Sequence, residues 1–252
     1  MENINTLHQS LQRKEVIYKM KVYITGDLHG DFARLNKIVK KEIRTSSKSD
    51  VLIVLGDSGF NYYENDYDRD FKRLAQELPI TIFCIHGNHE QRPSEIPSYH
   101  ETEFLGGKVW AELNYPNILF AKDGEIYDFN GKSTIVIGGA YSVDKYYRLI
   151  RGAKWWSNEQ PSEKIKEYVE QQLDNINWNV DYVLSHTGPK KYEPVEFFLP
   201  MVDQDAVDKT TEEWLDNIEE KLNYEAWYFG HYHCDKSIDK MRIMYRDVDF
   251  LI

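Results

Sequence analysis

Short apolar runs alternate with amphipathic segments over the first ninety residues of the chain. Three of these runs, at 21–25, 51–55 and 80–85, have the length and continuous apolar character of buried β-strands. Between them, apolar residues recur at helical spacing over 31–43 and 67–78. Strands that alternate with helices in this way predict an α/β fold with a parallel sheet and crossover helices.

The pattern changes between residues 104 and 140, where short apolar segments are separated by turn residues. Asn130 and Gly131 lie between two of these segments and are a strong hairpin signal. We therefore expect an antiparallel meander here, as a second sheet that packs on the first. Farther along, the pattern predicts helices at 161–173 and 205–221, each followed by a strand, at 180–184 and 226–229.

Composition narrows the class of protein. The 252 residues carry a net charge of −11, which argues against broad electrostatic binding to long nucleic acids or anionic membranes. The two cysteines, Cys84 and Cys234, are expected to be free thiols in a reducing compartment. Residues 1–20 lack the apolar core of a signal peptide, and no stretch has the length of a membrane span, so we expect a cytoplasmic protein.

No repeat, low-complexity tract or clear linker interrupts the pattern. We therefore expect residues 1–20 to be an N-terminal extension and residues 21–252 to form a single domain.

Side chains that bind divalent metals stand at the ends of five apolar runs. They comprise two carboxylates, one amide and four imidazoles, namely Asp27, His29, Asp57, Asn88, His186, His231 and His233. Since parallel strands present their carboxyl ends at one edge of a sheet, the donors that follow the first three strands should meet there. Ligands of these types without sulfur suit manganese, iron or zinc, and seven donors are enough to hold two ions.

In order, the five motifs are Asp-x-His at 27–29, Gly-Asp at 56–57, Gly-Asn-His-Glu at 87–90, a lone histidine at 186, and Gly-His-x-His at 230–233. With these motifs the chain resembles the calcineurin-like metallophosphoesterase superfamily over residues 21–233. The family fold is a β-sandwich flanked by helices. The resemblance therefore implies an α/β fold in which two mixed β-sheets pack as a sandwich.

The resemblance also implies a role for each donor. Three donors would bind a first ion and three a second, the first three being Asp27, His29 and His233, and the second three Asn88, His186 and His231. Asp57 would bridge the two ions. His89 would be the catalytic acid beside the leaving group.

The chain departs from the serine/threonine protein phosphatases, which it resembles at 26–30 and 87–90. Where that branch has an aspartate that orients the acid histidine, and then a substrate-binding arginine, this chain has Phe60 and Asn61. A phosphatase of that type is therefore disfavoured. Asn61 is a candidate phosphate contact or simply a turn cap.

The segment 138–148, followed by Trp155 and Trp156, is similar to a block of uncharacterised bacterial and phage metallophosphoesterases. Arg148 in this segment and Asn88 are candidate substrate contacts. The alternative for the segment is a solvated basic loop on a cluster of aromatic residues.

A metal pair lowers the pKa of bound water toward about 7 and so supplies a hydroxide nucleophile. We expect a phosphohydrolase that uses two divalent ions, manganese before iron or zinc, to hydrolyse phosphomonoesters of small molecules or proteins. The alternative is a phosphodiesterase or nuclease acting on nucleotides or nucleic acid, because the same ions cleave diesters. A catalytically silent scaffold is a third, less favoured, interpretation.

Overall fold

The computed structural model describes residues 19–43 and 46–252, so the predicted extension at 1–20 lies outside them apart from its last two residues. Within these ranges there are thirteen strands: β1 (Val22–Thr25), β2 (Val51–Val54), β3 (Thr81–Cys84), β4 (Tyr99–Phe104), β5 (Gly107–Glu112), β6 (Ile118–Ala121), β7 (Ile126–Phe129), β8 (Lys132–Ile137), β9 (Tyr182–Ser185), β10 (Ala226–Phe229), β11 (Lys236–Ile238), β12 (Met241–Ile243) and β13 (Val248–Phe250).

The strands form two mixed sheets. One has the order β13-β1-β2-β3-β6-β5-β4 and the other the order β11-β12-β10-β9-β8-β7. In each sheet four parallel strands lie at the centre, β1-β2-β3-β6 in the first and β12-β10-β9-β8 in the second. Antiparallel strands complete both edges. The predicted class, α/β with two mixed sheets packed as a sandwich, is confirmed.

Side-chain alternation along the central strands builds the core on both faces of the first sheet. Val51 and Ile53 of β2 face the second sheet, while Leu52 and Val54 face the helices on the opposite side. Between the sheets, Phe83 of β3 packs edge-on against Tyr127 and Phe129 of β7, with ring centroids 4.9 and 5.6 Å apart. Both faces are therefore buried, which explains the continuous apolar runs in the sequence.

Helices accompany the two sheets of the sandwich. They are α1 (Phe32–Lys37), which continues as a π-helical segment (Ile38–Ile43), α2 (Asp66–Gln76), α3 (Lys145–Arg151), α4 (Glu163–Asn175) and α5 (Thr210–Lys221). The first two pack on the first sheet, and α4 and α5 on the second. None of the helices in the described ranges combines the length and apolar character that crossing a membrane would need.

The predicted meander is wrong in part. The hairpin at Asn130 and Gly131 forms between β7 and β8, in the second sheet, and both turn residues have positive φ angles of 56° and 85°. The segments at 107–112 and 118–121 instead pair with each other and, through β6, with β3, so they extend the first sheet. The meander is thus divided between the sheets. The pattern also missed α3, the edge strands β4, β11 and β13, and the inner strand β12.

Replacing Phe83 by alanine should remove the aromatic contact that joins the sheets. Phe83 is fully buried, so we expect a loss of about 3–5 kcal/mol in the free energy of unfolding, measured with urea. Phe250→Ala is the matched control, because that ring is 63% exposed and should cost much less. A similar cost for both substitutions would contradict the packing described here.

Candidate metal centre

Five loops meet where the two sheets present the carboxyl ends of their parallel strands. Loops after β1, β2 and β3 come from the first sheet, and loops after β9 and β10 come from the second. The two sets are in direct contact, since His186 Nδ1 lies 2.8 Å from the backbone oxygen of Leu55. The seven predicted donors converge at this junction: Asp27, His29, Asp57, Asn88, His186, His231 and His233.

The first group of donors consists of Asp27, His29 and His233. His233 Nε2 lies 3.2 Å from Asp27 Oδ2 and 2.9 Å from His29 Nε2, and the Asp27 side chain is fully buried. His29 Nε2 is 3.9 Å from the same carboxylate oxygen. Two imidazole nitrogens and one buried carboxylate oxygen thus lie close together. These atoms could act as three ligands of one divalent ion.

The second group is built around the amide oxygen of Asn88. Asn88 Oδ1 lies 2.8 Å from His186 Nε2 and 3.0 Å from His231 Nδ1. His186 is fully buried, and its other ring nitrogen is held by the Leu55 carbonyl, which fixes the direction of the imidazole. Nε2 of His186 is thereby directed toward the Asn88 oxygen.

Asp57 lies between the two groups. Its Oδ1 is 3.6 Å from His186 Nε2, while its Oδ2 is 3.9 Å from His29 Nε2. The backbone N–H of His89 donates to Oδ1 at 2.8 Å, and the Asp57 carbonyl accepts from the His29 N–H at 2.7 Å. Asp57 is therefore fixed by neighbouring loops, with one carboxylate oxygen facing each group.

Four residues with left-handed backbone conformations and one glycine make this convergence possible. His29, Asp57, His231 and His233 all adopt the left-handed conformation, with φ between 46° and 67°, which ordinary residues rarely do. At Gly56, a Cβ atom would lie 2.0 Å from His186 Nδ1. The glycine before Asp57 is therefore required by the close approach of the β9 loop.

The charges of the centre stabilise one another. Burial raises the pKa of Asp57, but His186, His89 and His29 outweigh it and hold that pKa well below its usual range. Burial lowers the pKa of His231 to about 3, so this imidazole is neutral at physiological pH. Asp57 is thus ionised and His231 neutral, which are the protonation states that metal binding requires of these two groups.

A network behind Asn88 orients its amide group. Asn88 Nδ2 donates to Ser142 Oγ at 2.9 Å, and Ser142 Oγ donates to Glu159 Oε2 at 2.5 Å. Because the serine proton is engaged by the carboxylate, Ser142 must accept from the amide nitrogen, which turns Asn88 Oδ1 toward the histidines. Sequence reasoning missed Ser142 and Glu159. Ser142 stands inside the segment 138–148 that had been singled out, whereas Glu159 belongs to no motif.

A second buried carboxylate joins two of the loops. Glu90 accepts hydrogen bonds from Ser58 Oγ at 2.5 Å and from the Gly87 N–H at 3.1 Å. Burial and the nearby Asp57 raise the pKa of Glu90 to about 7. Glu90 therefore ties the loop after β2 to the loop after β3, a role that the motif alone did not reveal.

His89 lies at the edge of the centre. Its ring is edge-on to that of His29, with centroids 5.3 Å apart, and its Nε2 lies 3.9 Å from Asp144 Oδ1. Burial lowers the pKa of His89, while Asp57 and Asp144 oppose the change by favouring the protonated ring. His89 is partly exposed and lines the neighbouring cavity.

The two other candidate substrate contacts are buried outside that cavity. Asn61 is 1% exposed and its Oδ1 accepts a hydrogen bond from Tyr99 at 3.0 Å. Arg148 is 3% exposed, its guanidinium carbon lies 5.7 Å from the ring centre of Tyr62 and 5.9 Å from that of Trp156, and it donates to Ser142 Oγ at 3.2 Å. Arg148 belongs to α3 rather than to a loop, and it reaches the centre through Ser142. Substrate contact by either residue stays a prediction.

A cavity of about 480 Å³ opens beside the donors. Its lining includes members of both donor groups together with His89, and an apolar wall formed by Phe197, Phe198, Leu199, Val202 and Val207. The apolar wall comes from the irregular chain between β9 and α5, which includes short 3₁₀ turns at Val195–Phe197 and Gln204–Ala206. Nothing in the sequence pattern of this stretch marked it as part of a site.

Glu212, in the first turn of α5, also lines the cavity and is 3% exposed. Burial raises the pKa of Glu212 to about 7, although its own backbone amide and Thr187 partly oppose the change. Thr187 Oγ1 donates to Glu212 Oε1 at 2.8 Å. Since Thr187 directly follows His186, this carboxylate is coupled to the donor loop after β9.

Comparison with known proteins identifies relatives at the level of family and fold. A family model described as calcineurin-like phosphoesterase matches residues 20–235. No curated protein matches the chain significantly. The crystal structure of TT1561 of Thermus thermophilus aligns with a TM-score of 0.51 and 12% identity, over 92% of this chain and 98% of that one. AQ665 from Aquifex aeolicus, a protein of unknown function, gives 0.34 and 14%, over 67% of this chain and 80% of its own.

Glu212→Gln should stabilise the chelator-treated protein above pH 7. Burial favours the protonated acid, so the wild type loses stability as pH rises from about 4.5 through about 7, by at most about 3 kcal/mol. The glutamine variant lacks this loss, and urea unfolding at pH 5 and pH 8 measures the difference. Glu213→Gln, exposed at the next position, is the control. A stability difference that is independent of pH would contradict the assignment.

Proposed function

The chain belongs to the calcineurin-like phosphoesterase family, whose members hydrolyse phosphoester bonds, and we propose that it is a phosphomonoesterase that uses two divalent metal ions. Three donors would hold one ion and three the other, with Asp57 shared: Asp27, His29 and His233 for the first, and Asn88, His186 and His231 for the second. Manganese is the expected ion, with iron or zinc as alternatives.

The proposal rests mainly on the position of Asp57. One of its carboxylate oxygens faces His29 of the first group and the other faces His186 of the second. A carboxylate in this position could be shared by two cations. The backbone N–H of His89 and the glycine at position 56 restrict its freedom further.

When bound, such ions would lower the pKa of a coordinated water and draw charge from the phosphoryl oxygens. The seven donor side chains described above would hold those ions beside the cavity. His89 Nε2 would donate a proton to the departing oxygen, since this ring borders the cavity and the donors alike. Burial lowers the pKa of His89, and Asp57 and Asp144 only partly restore the protonated form that this role needs.

Charge supports a monoester over a nucleic acid. The chain carries a net charge of −11, and carboxylates of Glu193 and Glu212 line the cavity beyond the donors. If a polynucleotide bound with one phosphate at the donors, its next phosphates would enter the cavity and be repelled by Glu212. This carboxylate has no ion-pair partner among the described residues. The cavity is better matched to a substrate with a single phosphate.

Asp57→Asn, or removal of metal by a chelator, should abolish most of the activity. We expect kcat/KM for phenyl phosphate with manganese to fall more than about 100-fold, because the amide cannot bridge two cations through charged oxygens. Asp70→Asn is the control, since that carboxylate is 68% exposed on α2. Turnover that is indifferent to both chelator and Asp57→Asn would refute the metal mechanism. Faster turnover of diphenyl phosphate than of phenyl phosphate would favour a diesterase instead.

His89→Ala should reduce turnover more for poor leaving groups than for good ones. Loss of the acid is expected to cost about 10²–10⁴-fold with phenyl phosphate and much less with 4-nitrophenyl phosphate, whose phenolate leaves without a proton. The measurement is kcat/KM for both esters with manganese. His100→Ala, at an exposed histidine on β4, is the control. Equal losses on the two esters would argue against proton donation by His89.

A further inference from the structure

We propose that Glu212 selects substrates in which the alcohol half of the phosphoester is apolar and carries a hydrogen-bond donor, preferably a protonated amine. This inference rests on the proposed function and extends it from the reacting phosphate to the rest of the substrate. The phosphate would lie at the metal donors, the apolar body against the wall formed by 197–207, and the amine at the Glu212 carboxylate.

The first observation is an unmatched carboxylate in the cavity that the donors share. Glu212 Oε1 accepts a hydrogen bond from Thr187, but the buried Oε2 atom has no hydrogen-bond partner among the described residues. A buried carboxylate oxygen without a partner is costly, and native proteins rarely retain one without a reason. A donor on a bound molecule would satisfy it.

The neighbouring carboxylate, Glu193, differs from Glu212 because its hydrogen bonds are satisfied within the protein. Glu193 Oε1 accepts from Lys209 Nζ at 2.7 Å and from the Tyr232 hydroxyl at 3.2 Å. Lys209 Nζ is thereby engaged, and it also lies 4.8 Å from the centre of the Phe198 ring. Among the described residues no lysine or arginine forms an ion pair with Glu212, so the free charge on this side of the cavity is negative.

The surrounding wall defines the rest of the ligand. Phe197 and Leu199 are 52% and 61% exposed, and they line the cavity together with Phe198, Val202 and Val207. Aromatic and aliphatic side chains left open in this way can bury an apolar group of the ligand. If Glu212 had only a structural role, its hydrogen bond with Thr187 would be enough. That role would leave the unpartnered oxygen and the apolar residues beside it without an explanation.

Three aryl phosphates that differ at one position test the inference. They are 4-(aminomethyl)phenyl phosphate, 4-methylphenyl phosphate and 4-carboxyphenyl phosphate, which place a cation, a methyl group and an anion at the far end of the same ring. With manganese at pH 8, we expect the wild-type kcat/KM to be at least about 10-fold higher for the aminomethyl than for the methyl ester. The carboxy ester should be the poorest of the three.

Glu212→Gln should bring the ratio of aminomethyl to methyl ester close to one, while Glu213→Gln, next to it on the exposed face of α5, should preserve the wild-type ratio. A wild-type ratio near one, or a high ratio that survives Glu212→Gln, would overturn the inference. The wild-type comparison needs no variant, so the inference is tested even if Glu212→Gln does not fold. If none of the esters is hydrolysed with manganese, the proposed function fails instead, which is a different outcome from hydrolysis without preference.

Discussion

The Asp57 carboxylate lies between two groups of metal donors, and loops from both sheets must converge to hold it there. Asp57 has an oxygen directed toward each group, and both the backbone of His89 and the tight fit of Gly56 against His186 keep it there. For this to happen, the two sheets must pack face to face with the carboxyl ends of their parallel strands together, because His186 and Asp57 follow strands of different sheets. The sandwich core therefore supports the site as much as it supports the fold.

The charges of the centre also explain how an acidic protein could bind an anionic phosphate. Asp27 and Asp57 stay ionised although they are buried, because neighbouring histidines lower the pKa of both. Cations bound among these donors would reverse the sign of the local charge, while the net charge of −11 continues to act at long range. The cavity beyond the centre is lined by the carboxylate of Glu212 and by apolar side chains such as Phe198.

Much of the fold could be predicted from the sequence, because strands buried on both faces, such as β2 and β3, leave continuous apolar runs. The donor motifs followed from where those strands end. The sheet membership of β5 and β6 could not be predicted, since an antiparallel pair carries no mark of the sheet it joins. Helix α3 was missed because its exposed tyrosines and isoleucine give no single apolar face. Ser142 and Glu212 were missed because their partners lie 54 and 25 positions away.

Whether Asp57 is shared by two metal ions can be tested by anomalous diffraction from crystals grown with manganese, because this method locates the ions without reference to activity. Shared binding by Asp57 predicts two manganese peaks, one on each side of its carboxylate, with His29 and His233 at the first and His186 and His231 at the second. A single peak, or two peaks that do not share Asp57, would contradict it.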